Sequence, residues 1–381
     1  MTASIGFTLS PRSHLAMAVM TALTMTLTAC GGGGGGSSST PTPTPTPTPT
    51  SQPATTTQTT AEMQTASNAM VDLLNQQRSQ CGFGSLKANA ELGKSAMNHA
   101  NYMAEVSRQN KTMFINHEES VKTGLVATGT TNPYFSGVLN TDRINTTGVK
   151  LQLAQPVNYQ KMILSENMGV AQAITASDTK LNASTQAQAQ LRKLLAAPYH
   201  MRGLVIPYLT EVGGAYQEAK WTSSSWYYTT SFIELMSASP SSYELASIDK
   251  VLTYPCDGVT GTAYSINHEE PNPLPNRDLK AFPIGQPTYV IAPADKTIVS
   301  AEASYQATNS NLPLTKVHTL LTANDPHPNI DSRLKPYEAI FIPDVALAPS
   351  TAYKVNYTLT FADKTQQTGQ FSFTTQAKTA S

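Results

Sequence analysis

The sequence has little charge, little tryptophan and no long apolar segment. Of its 381 residues, 13% are charged, 25 basic residues balance 25 acidic ones, and two are tryptophan. The apolar run LAMAVMTALTMTL, at residues 15–27, is shorter than a membrane-spanning helix. A nucleic-acid partner is not expected either, because neutralising phosphates requires concentrated lysine and arginine.

Common catalytic signatures are also missing. The chain has no His-Glu-x-x-His, no Gly-x-Ser-x-Gly, no phosphate-binding loop and no dinucleotide-binding glycine pattern. These absences weigh against an enzyme of any of those classes.

Residues 1–29 have the pattern of a lipoprotein signal peptide. The apolar run ends in LTAC, which resembles the bacterial lipobox, where a peptidase cuts before the cysteine and the cysteine receives lipid. We therefore predict that Cys30 is the lipidation site and anchors the protein to a membrane. The alternative is an ordinary secretory signal. Gly31, directly after the cysteine, indicates the outer membrane as the destination.

Cysteine is scarce, with three in the chain. With Cys30 assigned to lipid, Cys81 and Cys256 remain. An even pair in an exported protein predicts a disulfide, and two free buried thiols are the less favoured alternative.

Residues 30–62 are predicted to be a disordered linker. After Cys30 they are mainly glycine, serine and Thr-Pro repeats, with almost no apolar side chains to bury. The Thr-Pro repeats favour an extended spacer that holds the folded part away from the membrane. The remainder is long enough for two domains.

Apolar spacing predicts helices over residues 64–80 and 89–107, and a third helix that ends near Leu195. The third helix leads into the stretch APYH. Pro198 removes a backbone donor and should end the helix, which places His200 on a loop.

The later part of the chain is rich in β-prone segments. Residues 211–219 and 226–235 are predicted to form an antiparallel pair, so the first domain has an α+β fold. Residues 251–282 are a proline-rich connector. Residues 283–377 contain several short β-prone runs and resemble bacterial Ig-like modules, which indicates an all-β sandwich.

Five short stretches in the first domain resemble, in order, the CAP superfamily (the SCP domain of cysteine-rich secretory proteins, antigen 5 and pathogenesis-related 1). They are LLNQQRSQCGFGSLKANAELGKSAMNHANYMAEV, INHEES, YFSGVLNTDRINTTGV, SENMGVA and APYHMRGLVIP, the last followed by EVGGAY. The resemblance implies the three-layer α-β-α sandwich of that family for residues 63–250.

The resemblance also implies a site. In that family two histidines and one or two glutamates meet in a central cleft, and some members bind a divalent metal there. The matching positions here are His117, Glu166 and His200. Two imidazoles and a carboxylate suit zinc or another divalent metal and leave a fourth position open. We expect both rings in one cleft, with Glu166 hydrogen-bonded to one of them.

One position departs from the family. Animal and plant members have a further glutamate in the helix before the second histidine, where this chain has Gln186, Gln188 and Gln190. The alternative acids are Glu118 and Glu119. His99 lies on an apolar helix face and is predicted to be a buried structural residue. A second copy of INHEE, at residues 266–270, is interpreted as coincidence, with His268 solvated.

These observations predict a cell-envelope lipoprotein that acts as a ligand-binding or interaction module, for a lipid or another apolar ligand. The alternatives are a metal-dependent hydrolase that uses the same three residues and a structural envelope component. The missing helix glutamate favours binding over catalysis.

Overall fold

The computed structural model describes residues 58–145, 162–240, 248–310, 313–314, 316–328 and 334–378. The predicted signal peptide, Cys30 and most of the predicted linker lie outside these residues. The helices are α1 (Thr60–Gln80), α2 (Ala90–Asn110), α3 (Asn140–Asn145), α4 (Ala183–Leu194) and α5 (Pro198–Val205). None of these described helices has the length and apolar character needed to cross a bilayer.

The residues that the structure describes form twelve strands in three sheets. The first sheet contains β1 (Lys87–Ala88), β2 (Met162–Thr175), β3 (Glu211–Ser223) and β4 (Trp226–Pro240). The second contains β5 (Leu252–Tyr254), β7 (Thr288–Ile291), β9 (Val317–Leu321) and β10 (Glu338–Pro343). The third contains β6 (Val259–Thr262), β8 (Ile298–Ala307), β11 (Ala352–Phe361) and β12 (Gln366–Thr375).

The prediction that His200 lies on a loop is wrong, because Pro198 begins a helix. Pro198 is at the start of α5, directly after Ala197, and His200 lies in the first turn. A proline at that position has the backbone angle that a helix needs, and its missing N–H would have had no partner within the helix. The same residue that ends α4 therefore starts α5.

Helices cover both faces of the first sheet, whose strand order is β1-β3-β4-β2. The predicted antiparallel pairing of β3 with β4 is confirmed. Gly213 and Gly214 of β3 show that helices pack on both faces of the sheet, because adjacent residues of a strand point to opposite faces. A Cβ on Gly213 would lie 1.9 Å from the backbone N of Gly93 in α2, and one on Gly214 would meet Val71 of α1. The two glycines let α2 and α1 approach the sheet from opposite sides, which gives the expected three layers.

The second and third sheets form an all-β domain, as expected. Their strand orders are β5-β7-β10-β9 and β6-β12-β11-β8. Strands β5 and β6 come from the predicted connector and pair with β7 and β12, so that segment contributes to the sheets. We refer to residues 58–240 as the helical domain and to residues 248–378 as the β domain.

The two domains share buried apolar side chains. One cluster includes Leu191 and Leu204 of the helical domain and Tyr289 and Phe341 of the β domain. The predicted disulfide is confirmed, and it joins Cys81, directly after α1, to Cys256, between β5 and β6. Covalent and apolar contacts therefore connect the domains.

Candidate functional site

A buried charged cluster lies between α2 and the first sheet. His99 comes from α2, Glu166 from β2 and Glu234 from β4. Glu166 pairs with Met236, so Glu234, two residues earlier on β4, lies diagonally beside it on the same face. His99 Nδ1 is 2.9 Å from Glu234 Oε2 and 3.6 Å from Glu166 Oε1. One ligand atom of each residue lies within 4.8 Å of the others, so this group can hold a metal ion.

Arg143 supplies positive charge to the cluster. Its side chain is fully buried, its Nη2 contacts Glu166, and its Nε lies 3.9 Å from Glu119 Oε1. Its Nη1 donates a hydrogen bond to the carbonyl of His117 at 2.9 Å. Glu119 accepts a hydrogen bond from the backbone N–H of Ser136. Arg143 thereby connects the loop that carries His117 to strand β2.

Burial and charge set the protonation of the cluster. Burial raises the pKa of Glu234 well above its ordinary value, and the charge of Glu166 raises it further. Burial also opposes ionisation of Glu166, but the hydrogen bond with His117 and the charge of Arg143 outweigh it and lower that pKa to about 2. Burial, with Arg143, lowers the pKa of His99 to about 4. Without a bound cation, these shifts favour the ionised form of Glu166 and the neutral forms of His99 and Glu234.

Several buried polar atoms of the cluster have no aligned hydrogen bond to the residues that the structure describes. Among them are both ring nitrogens of His99 and both carboxyl oxygens of Glu234. The contact of 2.9 Å between the two side chains is short but misses hydrogen-bond geometry. A buried polar group left unsatisfied costs about 1–3 kcal/mol, so an ion or a water would be stabilised here.

Two other histidines are each held at Nδ1 by a buried carboxylate. His117 Nδ1 is 2.7 Å from Glu166 Oε2, and His200 Nδ1 is 3.2 Å from both oxygens of Glu269. The His117 side chain is 55% exposed and that of His200 19%, while those of Glu166 and Glu269 are 4% and 0% exposed. An ionised carboxylate only accepts, so each ring carries a hydrogen on Nδ1 and has Nε2 left for a ligand. Burial lowers the pKa of His200, but the charge and hydrogen bond of Glu269 outweigh it and raise that pKa.

Both histidines line one cavity of about 640 Å³, a size typical of small-molecule sites. The two INHEE segments, 115–119 and 266–270, both contribute to its wall. Its apolar lining residues are Ile115, Met168, Val170, Leu194, Ala197 and Ile266. Its charged lining residues, besides Glu269 and the histidines, are Glu118, Lys122, Lys193 and Glu270. The cavity therefore offers apolar and polar surface to one ligand.

The structure corrects the predicted metal set. His117 and His200 line one cavity, and Glu166 bonds one of the rings, as the family resemblance implies. However, the group of three ligand atoms found within 4.8 Å among the described residues is His99, Glu166 and Glu234. Glu166 lies within strand β2, where its two oxygens already contact His117 and Arg143. It therefore does not complete a triad with His200.

Several site residues escaped the sequence interpretation. His99 is buried as predicted, but it lies in a charged cluster. Glu234 was detectable as the one acid within the apolar strand FIELM. Glu269 was detectable because the segment INHEE is repeated. The repeat was interpreted as coincidence, but both copies line the cavity. His268 is exposed, as predicted.

Comparison with known proteins agrees with this architecture. The family model described as the cysteine-rich secretory protein family, CAP, matches residues 71–232. Residues 71–232 are a CAP domain. A CAP domain supports an extracellular binding or interaction module in general, and the disulfide fits a secreted or extracellular protein. No curated protein is significantly similar in sequence.

Solved structures give weak likenesses only. The copper resistance protein PcoC from Escherichia coli, in selenomethionine form, aligns at 13% identity over 34% of this chain and 99% of its own, with a TM-score of 0.21. CopC from Methylosinus trichosporium OB3b aligns at 12% identity over 34% of this chain and 93% of its own, with a TM-score of 0.22. Similarity at this level says nothing about what the present chain binds.

Proposed function

We propose that the protein is a binding module of the cell envelope, anchored through lipidated Cys30, whose CAP domain binds a small amphipathic ligand. The observation that carries this proposal is the cavity between the two INHEE segments. It combines the size of a ligand site with histidines whose Nδ1 atoms are held by carboxylates. The predicted signal peptide and the disulfide support export of the folded domains.

The lining of the cavity suggests how such a ligand binds. Its apolar part packs on Ile115, Val170 and Leu194, which contribute to the wall. Its polar head, a carboxylate, lies beside His117 and accepts a hydrogen bond from Nε2–H of protonated His200, the form of the ring that Glu269 favours. A long-chain fatty acid has both parts and is the probe of choice.

Ile115→Glu is expected to weaken binding of a fluorescent long-chain fatty acid about tenfold, because a charge replaces apolar contact area at the cavity wall. Ile115 is 39% exposed, so the change should not disturb folding. Ile174→Glu is the matched control, because Ile174 is 52% exposed and is not among the residues that line the cavity. Fluorescence titration measures both affinities. Equal affinities of the two variants, or no binding by the unaltered protein, would contradict the proposal.

The buried cluster favours a second function, the binding of a divalent metal ion by His99, Glu166 and Glu234. Imidazole and carboxylate together are a donor set that zinc accepts. The unsatisfied atoms of His99 and Glu234 support the fit. A bound ion would supply positive charge to a site that has three carboxylates, counting Glu119, and one guanidinium.

Glu234→Gln is expected to remove this metal. Loss of a ligand should weaken zinc binding by more than the roughly 10- to 100-fold that loss of a supporting residue costs. Glu218→Gln, on the neighbouring strand β3 and outside the cluster, should bind zinc like the unaltered protein. Elemental analysis of the purified protein and competition titration with a chelator give the stoichiometry and affinity. Absence of metal binding by the unaltered protein would refute the assignment.

A further inference from the structure

We infer that Glu269 is the positioning residue for His200 and that the β domain completes the binding cleft. Glu269 lies beyond residue 232, where the CAP match ends. This inference rests on the proposed function, because it takes the cleft to be the ligand site. Glu269 would position His200, and the β domain would form part of the cleft wall.

Helix α5, which carries His200, is held by acidic side chains from beyond the CAP match. The three pairs are Tyr199 with Asp325, His200 with Glu269, and Arg202 with Glu338. All three acidic residues are buried. The position of α5 relative to the cavity is therefore set largely from the carboxyl-terminal half.

Glu269 acts on both the backbone and the ring. Its Oε1 accepts a hydrogen bond from the backbone N–H of Tyr199 at 3.0 Å, and both its oxygens lie 3.2 Å from His200 Nδ1. The residue before α5, Ala197, has no side chain that can satisfy the free N–H groups of the first turn. Glu269 satisfies the N–H of Tyr199, and the same carboxylate holds the ring of His200.

The helical domain has no substitute for this carboxylate in α4. That helix has glutamine at positions 186, 188 and 190, and two of these side chains bond elsewhere. Gln188 donates to the carbonyl of Ala69, and Gln190 donates to Ser231 Oγ. The carboxylate that holds His200 therefore comes from the second INHEE segment.

Glu269→Gln separates ring positioning from helix capping. The glutamine oxygen can still accept from the N–H of Tyr199, which preserves the helix start. Its NH₂ group then takes the place of Oε2, while its oxygen stays within reach of both the N–H of Tyr199 and Nδ1 of His200. The variant therefore removes the negative charge beside the ring, so the pKa of His200 should fall, whereas a purely structural role for Glu269 requires no such change.

The test is a pH titration of the histidine rings by nitrogen-15 NMR, with the His200 signals identified by their loss in His200→Asn. We expect the pKa of His200 to be lower in Glu269→Gln than in the unaltered protein. Fatty-acid affinity should fall on the order of tenfold in that variant, because the protonated ring, which donates a charge-assisted hydrogen bond to the carboxylate, becomes less populated. Glu302→Gln, with the same change in charge at an exposed position of β8 that is not among the residues lining the cavity, should alter neither quantity.

The outcomes distinguish this inference from the proposed function. If the pKa of His200 is unchanged in Glu269→Gln, or if Glu302→Gln has equal effects, the inference is wrong. Unchanged fatty-acid affinity in Glu269→Gln would also overturn it. If the unaltered protein binds no fatty acid, the proposed function fails, while the NMR comparison still decides whether Glu269 positions the ring. Should Glu269→Gln fail to fold, Glu269→Asp, which keeps the charge, must leave the pKa of His200 higher than Glu269→Ala does for the inference to stand.

Discussion

Glu338→Gln is expected to lower the free energy of unfolding by about 3–5 kcal/mol, the usual cost of removing one partner of a buried ion pair. The side chains of Arg202 and Glu338 are 3% and 0% exposed, with Arg202 Nε 2.7 Å from the carboxylate. Glu338 also accepts a hydrogen bond from Tyr289 at 2.7 Å. Burial lowers the pKa of Arg202, but Glu338 outweighs that effect and raises it. The variant therefore leaves a buried cation without its counterion, and urea unfolding measures the loss.

Two controls make this result interpretable. Asp363→Asn removes one partner of an ion pair with Lys296 at the surface, and the unfolding midpoint should hardly change. The double variant Arg202→Met with Glu338→Leu removes both buried charges and should regain much of the lost stability. If Glu338→Gln were no more destabilised than Asp363→Asn, the pair would not hold the two domains together.

Cys30→Ser is expected to transfer the protein completely from the membrane fraction to the soluble fraction. Stable anchoring needs more than one acyl chain, and the lipidated cysteine would carry all of them. Cell fractionation and incorporation of labelled fatty acid measure the change. Ser38→Ala, in the predicted linker, is the control and should remain with the membrane. Membrane retention of Cys30→Ser would refute the lipid anchor.

Local patterns predicted most of the helical domain. Apolar spacing located α1 and α2 within a few residues of their ends, and β-prone segments with a short turn predicted the β3–β4 pair. These signals are local, because an element's own periodicity shows which face it buries. The disulfide was predictable because two cysteines allow one pairing.

The site depended on contacts that no local pattern encodes. His99 and Glu234 are 135 positions apart, and only the packing of α2 on the sheet brings them to 2.9 Å. His200 and Glu269 meet because the chain returns after β4 to contact α5. Pro198 misled the prediction for a different reason, since a proline that ends one helix is equally suited to begin the next.

Because the carboxylate at His200 comes from outside the CAP match, the two domains are expected to be inherited together. The family resemblance places a glutamate in the helix before this histidine, whereas here the acid is Glu269, from outside the CAP match. Relatives with an acid in that helix can lose the second domain and still hold the ring, but relatives with glutamine there cannot. Among homologous sequences, presence of the β domain should therefore covary with absence of the helix acid. Exchange of one half of this gene by recombination would separate His200 from its carboxylate, even though each half encodes its own sheets.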